Sequence, residues 1–128
     1  MAITVVGSIA FDTVATPFGR RERMVGGAAT HFALAASFFD EARVVGPVGD
    51  DFDEAALALL STRETNTDDI ERVAGGKSFF WAGEYGWDLN SRETLETQLG
   101  VFETFQPKLS AASRQADVLF LANIQPTL

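Results

Sequence analysis

The apolar residues of this chain fall into short continuous runs that alternate with stretches carrying a helical stripe. The β-branched run that opens at Ile3 shows no polar alternation, which predicts a strand over about Ile3 to Ile9 buried on both faces. Thr13 to Val25 reads as a turn plus a short strand, punctuated by Pro17 and Gly19. A helix is predicted from near Gly27, with Ala28, Phe32, Ala35 and Phe39 on one stripe and Leu34 and Phe38 on the next. Most of its circumference is apolar, so burial is expected. Ala42 to Val48 is a second continuous strand, loosened at its end by Gly46, Pro47 and Gly49. Asp50 and Asp51 then lead into a second helix through Leu60, whose Phe52, Ala56, Leu59 and Leu60 share a face. Strand, helix, strand, helix with short connections implies right-handed crossovers and a parallel sheet with helices on its faces.

From Asn66 the pattern changes. Thr67 to Ile70 and Ala74 to Gly76 are turn-rich, and Lys77 to Tyr85 is aromatic and extended. This predicts a hairpin-like excursion whose partner is Glu93 to Phe105, where Leu95, Leu99 and Val101 alternate with polar residues; Leu95, Leu99 and Phe102 also fit a helix. After Pro107 a short helix over Ser110 to Gln115 leads into Asp117 to Asn123, read as a third buried parallel strand. A parallel strand normally feeds a crossover helix, and Pro126 stands like the first residue of one, so the sheet is expected to be incomplete at its C-terminal end.

Composition acts mainly by exclusion. With 46% hydrophobic and 22% charged residues over 128 positions, one globular unit is expected. The net charge is −8 and the basic residues cluster only at Arg20-Arg21-Glu22-Arg23, so no nucleic-acid footprint is present. No run of about 18 apolar residues and no basic leader occur, which points to a cytoplasmic protein without membrane contact. Cysteine is absent and histidine occurs once, which excludes disulfides, thiolate metal sites and thiol nucleophiles. Any cofactor must be held by oxygen and backbone groups.

Candidate chemistry concentrates in two stretches. Val5-Val6-Gly7-Ser8-Ile9-Ala10-Phe11-Asp12 carries a strand into a Gly-Ser turn and delivers Asp12 beyond the sheet edge, where its carboxylate can accept two hydroxyl hydrogen bonds. Gly26-Gly27 let the backbone approach a ligand closely, and the following helix points free N–H groups toward the same edge. Polyols and anions both suit such a place. Bland alternatives stand beside these readings: Asp12 as a turn aspartate, Gly26-Gly27 as a tight turn, and His31, one turn into the helix, as a packing residue. Asn123, at a strand's C-terminal edge, stands where open parallel sheets bind ligands, or is an ordinary strand-end residue.

Other motifs fail on inspection. Asp50-Asp51-Phe52-Asp53-Glu54 is no calcium loop, because Ala55 and Ala56 replace further ligands; acidic residues in a first helical turn are explained by the helix dipole. Gly75-Gly76-Lys77-Ser78 is no P-loop, since Glu71 stands five residues before Gly76 and Phe79-Phe80-Trp81 continues as strand. Trp81, Tyr85 and Trp87 suit either an aromatic cover for a sugar or core and dimer packing.

Taken in order, Gly7-Ser8-Ile9-Ala10-Phe11-Asp12, Gly26-Gly27 and Val44-Val45-Gly46-Pro47-Val48-Gly49-Asp50-Asp51-Phe52 resemble the N-terminal part of ribokinase-like (PfkB-type) carbohydrate kinases. The resemblance covers nearly the whole chain. It implies a three-layer α/β/α, Rossmann-like parallel sheet with a small β lid, the lid strands lying at about 13–25 and 77–105 of a unit that spans 1–128. It also implies transfer of the ATP γ-phosphoryl group to a hydroxyl of a sugar or nucleoside. By the same resemblance Asp12 binds substrate hydroxyls, and Gly26 and Gly27 line the sugar's floor. Ribokinases often carry Lys-Gly-Ala-Asn after the paired glycines; here Ala28-Ala29-Thr30-His31 follows, so His31 takes the place of a substrate-binding asparagine. The family's catalytic aspartate, in a Gly-Ala-Gly-Asp segment, and its adenine and metal motifs lie far downstream and are expected beyond Leu128. ATP and Mg2+ are therefore expected of a full-length enzyme, and the chain alone is expected to bind neither and to be inactive. Lids of the family commonly pair between subunits, which implies a homodimer. The competing expectation is a non-catalytic polyol-binding or dimerisation module.

Overall fold

The computed structural model describes residues Met1–Leu128. Its main sheet is parallel, in the order β5 (Thr65–Asn66), β4 (Glu41–Val48), β1 (Ala2–Val6), β9 (Val118–Leu121), with β6 (Ile70–Arg72) also paired to β4. Val5 and Val44 face α1 (Ala28–Ala36) and α2 (Glu54–Leu60), while Val6 and Val45 face the opposite side, against Phe102, Phe105 and Leu109. This alternation across a two-faced sheet explains why β1 and β4 read as unbroken apolar runs. A 3-10 turn over Gly100–Phe102 and α3 (Ala111–Arg114) lie in the third layer, and the Thr4 hydroxyl donates to the Ser113 carbonyl at 2.9 Å.

A second, four-stranded sheet stands on the first, in the order β3 (Gly19–Gly26), β2 (Ala10–Thr16), β7 (Phe79–Tyr85), β8 (Arg92–Gln98). The outer pairs are antiparallel and the central β2–β7 pair is parallel.

Several elements differ from the sequence reading. The first strand ends at Val6, because Gly7 turns the chain and Ala10 begins β2; Thr13 to Val25 is most of a two-stranded hairpin. The first helix stops at Ala36, so Phe38 and Phe39 lie beyond it and are exposed, with the Arg63 guanidinium stacked over Phe38. The second helix begins at Glu54, capped by Asp53, whose carboxylate accepts from the Ala56 N–H at 2.9 Å; Leu59 turns outward. Glu93 to Phe105 is strand only to Gln98. The strand at Asp117 to Asn123 pairs with β1 as expected but is not buried: Val118 through Leu121 are all exposed at a sheet edge, and the Phe120 ring stacks on Phe32.

Candidate functional site

Gly7-Ser8-Ile9 joins the two sheets, and Ser8 is the residue that organises the turn. Gly27 stands at the N-cap of α1 and brings no side chain, so Ser8 supplies the missing acceptors from across the fold. Its Oγ accepts from the Ala28 N–H at 3.0 Å and its carbonyl from the Ala29 N–H at 3.0 Å. The helix therefore does not present these amides freely to a ligand, as its sequence suggested, because a buried serine already satisfies them. The Ser8 hydroxyl donates in turn to Asn123 Oδ1 at 3.1 Å. Asn123 thus reaches the rim through Ser8.

Asp12 follows on β2, opposite Met24 of β3. It is half-buried and packs directly on Gly26: a Cβ there would overlap Asp12 Oδ2, so only glycine leaves room for the carboxylate. Gly27 has φ +94°, and a Cβ there would overlap the Ser8 carbonyl oxygen. Its N–H lies on the side of the Asp12 carboxylate and favours the charged form. His31 approaches the same spot from α1, its Nε2 lying 3.5 Å from where a Gly26 Cβ would stand. Asp12, Gly26, Gly27 and His31 are accordingly neighbours, though 19 positions separate the first from the last.

Burial pushes the Asp12 carboxyl above its ordinary range, and the charge of His31 and the Gly27 N–H offset this only in part. A half-buried carboxylate beside bare backbone, with a histidine on the solvent side, is suited to accept hydrogen bonds from alcohol groups. Ser8 occupies the first two helix amides, and no three His, Asp or Glu side chains converge anywhere in the structure.

The Gly49-Asp50-Asp51 turn serves the joint between the sheets rather than a helix dipole. Asp50 Oδ2 accepts from the Gly75 N–H at 2.7 Å, Asp51 Oδ1 from the Ser78 N–H at 2.8 Å, and the Gly49 N–H donates to Ser78 Oγ at 3.0 Å. Sequence reasoning missed this use of both aspartates, because their partners lie about 25 residues away and no local spacing signals them.

No family model matches the chain, and no curated protein matches it in sequence. Solved structures do resemble it. A Methanocaldococcus jannaschii nucleoside kinase, described as an archaeal member of the ribokinase family, superposes with a TM-score of 0.73 at 16% identity, covering 94% of this chain and 44% of its own. Ribokinase from Cryptococcus neoformans var. grubii, in complex with ADP, gives 0.70 at 19% identity over 94% and 40%. Burkholderia thailandensis nucleoside kinase, in complex with inosine, gives 0.67 at 21% identity over 77% and 37%. The chain has the α/β fold of these ribokinase-type kinases and spans about two-fifths of their length.

Proposed function

We propose that the chain carries the acceptor-binding part of a kinase that transfers the ATP γ-phosphoryl group to a hydroxyl of a sugar or nucleoside. The observation that carries this is the meeting of Asp12 with Gly26, Gly27 and His31 at the junction of the two sheets. The fold shared with sugar and nucleoside kinases supports it. Asp12 orients the acceptor by taking hydroxyl hydrogen bonds. Gly26 and Gly27 admit the acceptor to the backbone, His31 flanks it, and Asn123 steadies the rim through Ser8. The sheet β3-β2-β7-β8 acts as the lid that keeps water from the acceptor. Phosphoryl transfer depends on positioning and on charge stabilisation around the γ-phosphoryl group, and the residues here supply only the first. The base, the nucleotide site and Mg2+ belong to the part of the kinase fold outside these 128 residues, and the chain alone does not turn over.

ADP release from ATP, measured over a panel of sugars and nucleosides, tests this reading. The chain alone is expected to give none, and the chain continued through in-frame coding sequence after Leu128 is expected to phosphorylate at least one polyol. A continued protein that releases no ADP with any of them refutes the kinase reading.

A second reading, a homodimer through the lid, is favoured by one observation. Phe18, Trp87, Leu95 and Leu99 of the second sheet and its flanking loops are exposed. It is compatible with the first.

A further inference from the structure

Arg23 ties the second sheet to the loop after β4 through its side chain, and it also bends the strand carrying the acceptor rim. Its backbone has φ 49°, a left-handed conformation unusual for a residue with a Cβ. The pairing of β2 with β3 shifts register here: Asp12 faces Met24 but Val14 faces Arg21, so Thr13 meets two residues in a bulge. Thr13 Oγ1 accepts the Arg23 N–H at 3.1 Å and holds the bulge in place. The guanidinium then lies 4.4 Å above the ring centre of Phe11, which packs on Phe52 in the main core, and 5.9 Å from that of Phe80 in β7. Its Nη2 is 3.5 Å from Asp51 Oδ2. Asp51 is the group that accepts the Ser78 N–H where the chain passes into β7.

A bulge, a stacked cation and an ion pair thus meet on one side chain, three residues before Gly26. We infer that Arg23 is a positioning residue: by joining β3 to Asp51 it sets the angle of the second sheet on the α/β body, and so places Asp12 and Gly26 against His31 of α1 for acceptor binding. This rests on the acceptor reading above for its functional half only. Asp51 is the shared partner. It takes Ser78 on one oxygen and Arg23 on the other, so loss of either contact loosens both chain passages into the second sheet.

The test compares the wild-type chain with R23Q, R23K, D51N and the double variant R23Q/D51N. Amide hydrogen exchange of the segments holding Gly26 and Ser78 reads the joint, and calorimetric titration with ribose and with inosine reads the acceptor site. Arg23 is about half exposed, so these proteins are expected to fold. R23Q is expected to speed exchange in both segments and to weaken the bound ligand about 5- to 20-fold, the range of one partly exposed ion pair plus one cation–π contact. R23K recovers part of that loss, because it keeps the charge but not the flat stack. The double variant is expected to be no worse than the poorer single one. Additive losses, or unchanged exchange at Ser78 in R23Q, overturn the inference. If coupled exchange is seen and wild type binds neither ligand, the joint stands and the acceptor reading falls. If wild type binds and R23Q binds equally, the positioning role falls alone.

Discussion

Alanine placed at Gly26 or at Gly27 sets the same methyl group against two different kinds of neighbour. At Gly26 it overlaps Asp12 Oδ2 and comes within 2.9 Å of Asp12 Cγ, the far end of a side chain that can swing away. The backbone there is not left-handed, so no strain adds. The folding cost is at the low end for overpacking, about 1 kcal/mol, or roughly 4 °C in Tm for a chain of this length. Binding suffers more, because the displaced carboxylate loses charge-assisted hydrogen bonds worth about 1.5–3 kcal/mol each, at least about tenfold in Kd. At Gly27 the methyl meets the Ser8 carbonyl and the Ala10 nitrogen at 2.9 Å, all of them backbone, on a residue with φ +94°. Strain of about 1–3 kcal/mol and overpacking of similar size combine there, so Tm is expected to fall by roughly 10 °C or more. Thermal melting and calorimetric titration with ribose and inosine separate the two. G26A should lose affinity with a small change in Tm, and G27A should lose stability first. Equal affinity in G26A and wild type, or a G27A protein as stable as wild type, refutes the packing account of the rim.

Three further outcomes follow from the same geometry. Asp12 is held above the ordinary carboxylate range, so acceptor affinity should fall on acidification at a higher pH than a free aspartate would give, and D12N should lose that dependence. Since a raised carboxyl pKa gives stability that is present below the unfolded pKa and lost as pH rises through the folded one, D12N should melt at or above wild type at neutral pH while binding less. Asp69 has the opposite sign. Partial burial opposes its ionisation, but the Ser113 and Ser110 hydroxyls, the Ser110 N–H and the nearby Arg43 outweigh that and lower its pKa, so its contribution is present above the unfolded pKa and lost as pH falls through the folded one. D69A should therefore release α3 and cost about 1–3 kcal/mol in a melt at neutral pH, with a smaller difference from wild type in acid. If the exposed lid joins two copies, L95D should move the chain from dimer to monomer in sedimentation equilibrium; a wild-type monomer at high concentration contradicts that pairing.

Much of the fold was legible because its signals are local. The strands at Ile3 and Ala42 lie between two packed faces, so their sequences are apolar at successive positions, and the Lys77 to Tyr85 hairpin is marked by turn residues on both sides. The long-range joints were not legible. Nothing near Ser8 shows that it caps a helix 20 positions later, and the short strands at Thr65 and Ile70 are too brief for any periodicity to emerge. Of the rim, Asp12 and the paired glycines were visible through their order along the chain. The reason Gly26 must be glycine lies in a carboxylate from another strand, which no local pattern of residues reveals.

Calorimetric titration of ribose and inosine into the wild-type chain and into D12A tests the acceptor rim most directly. At least one of the two should bind wild type at a single site, with D12A weaker by about tenfold or more. Binding of equal strength to both proteins, or none to wild type, contradicts an acceptor site built on Asp12.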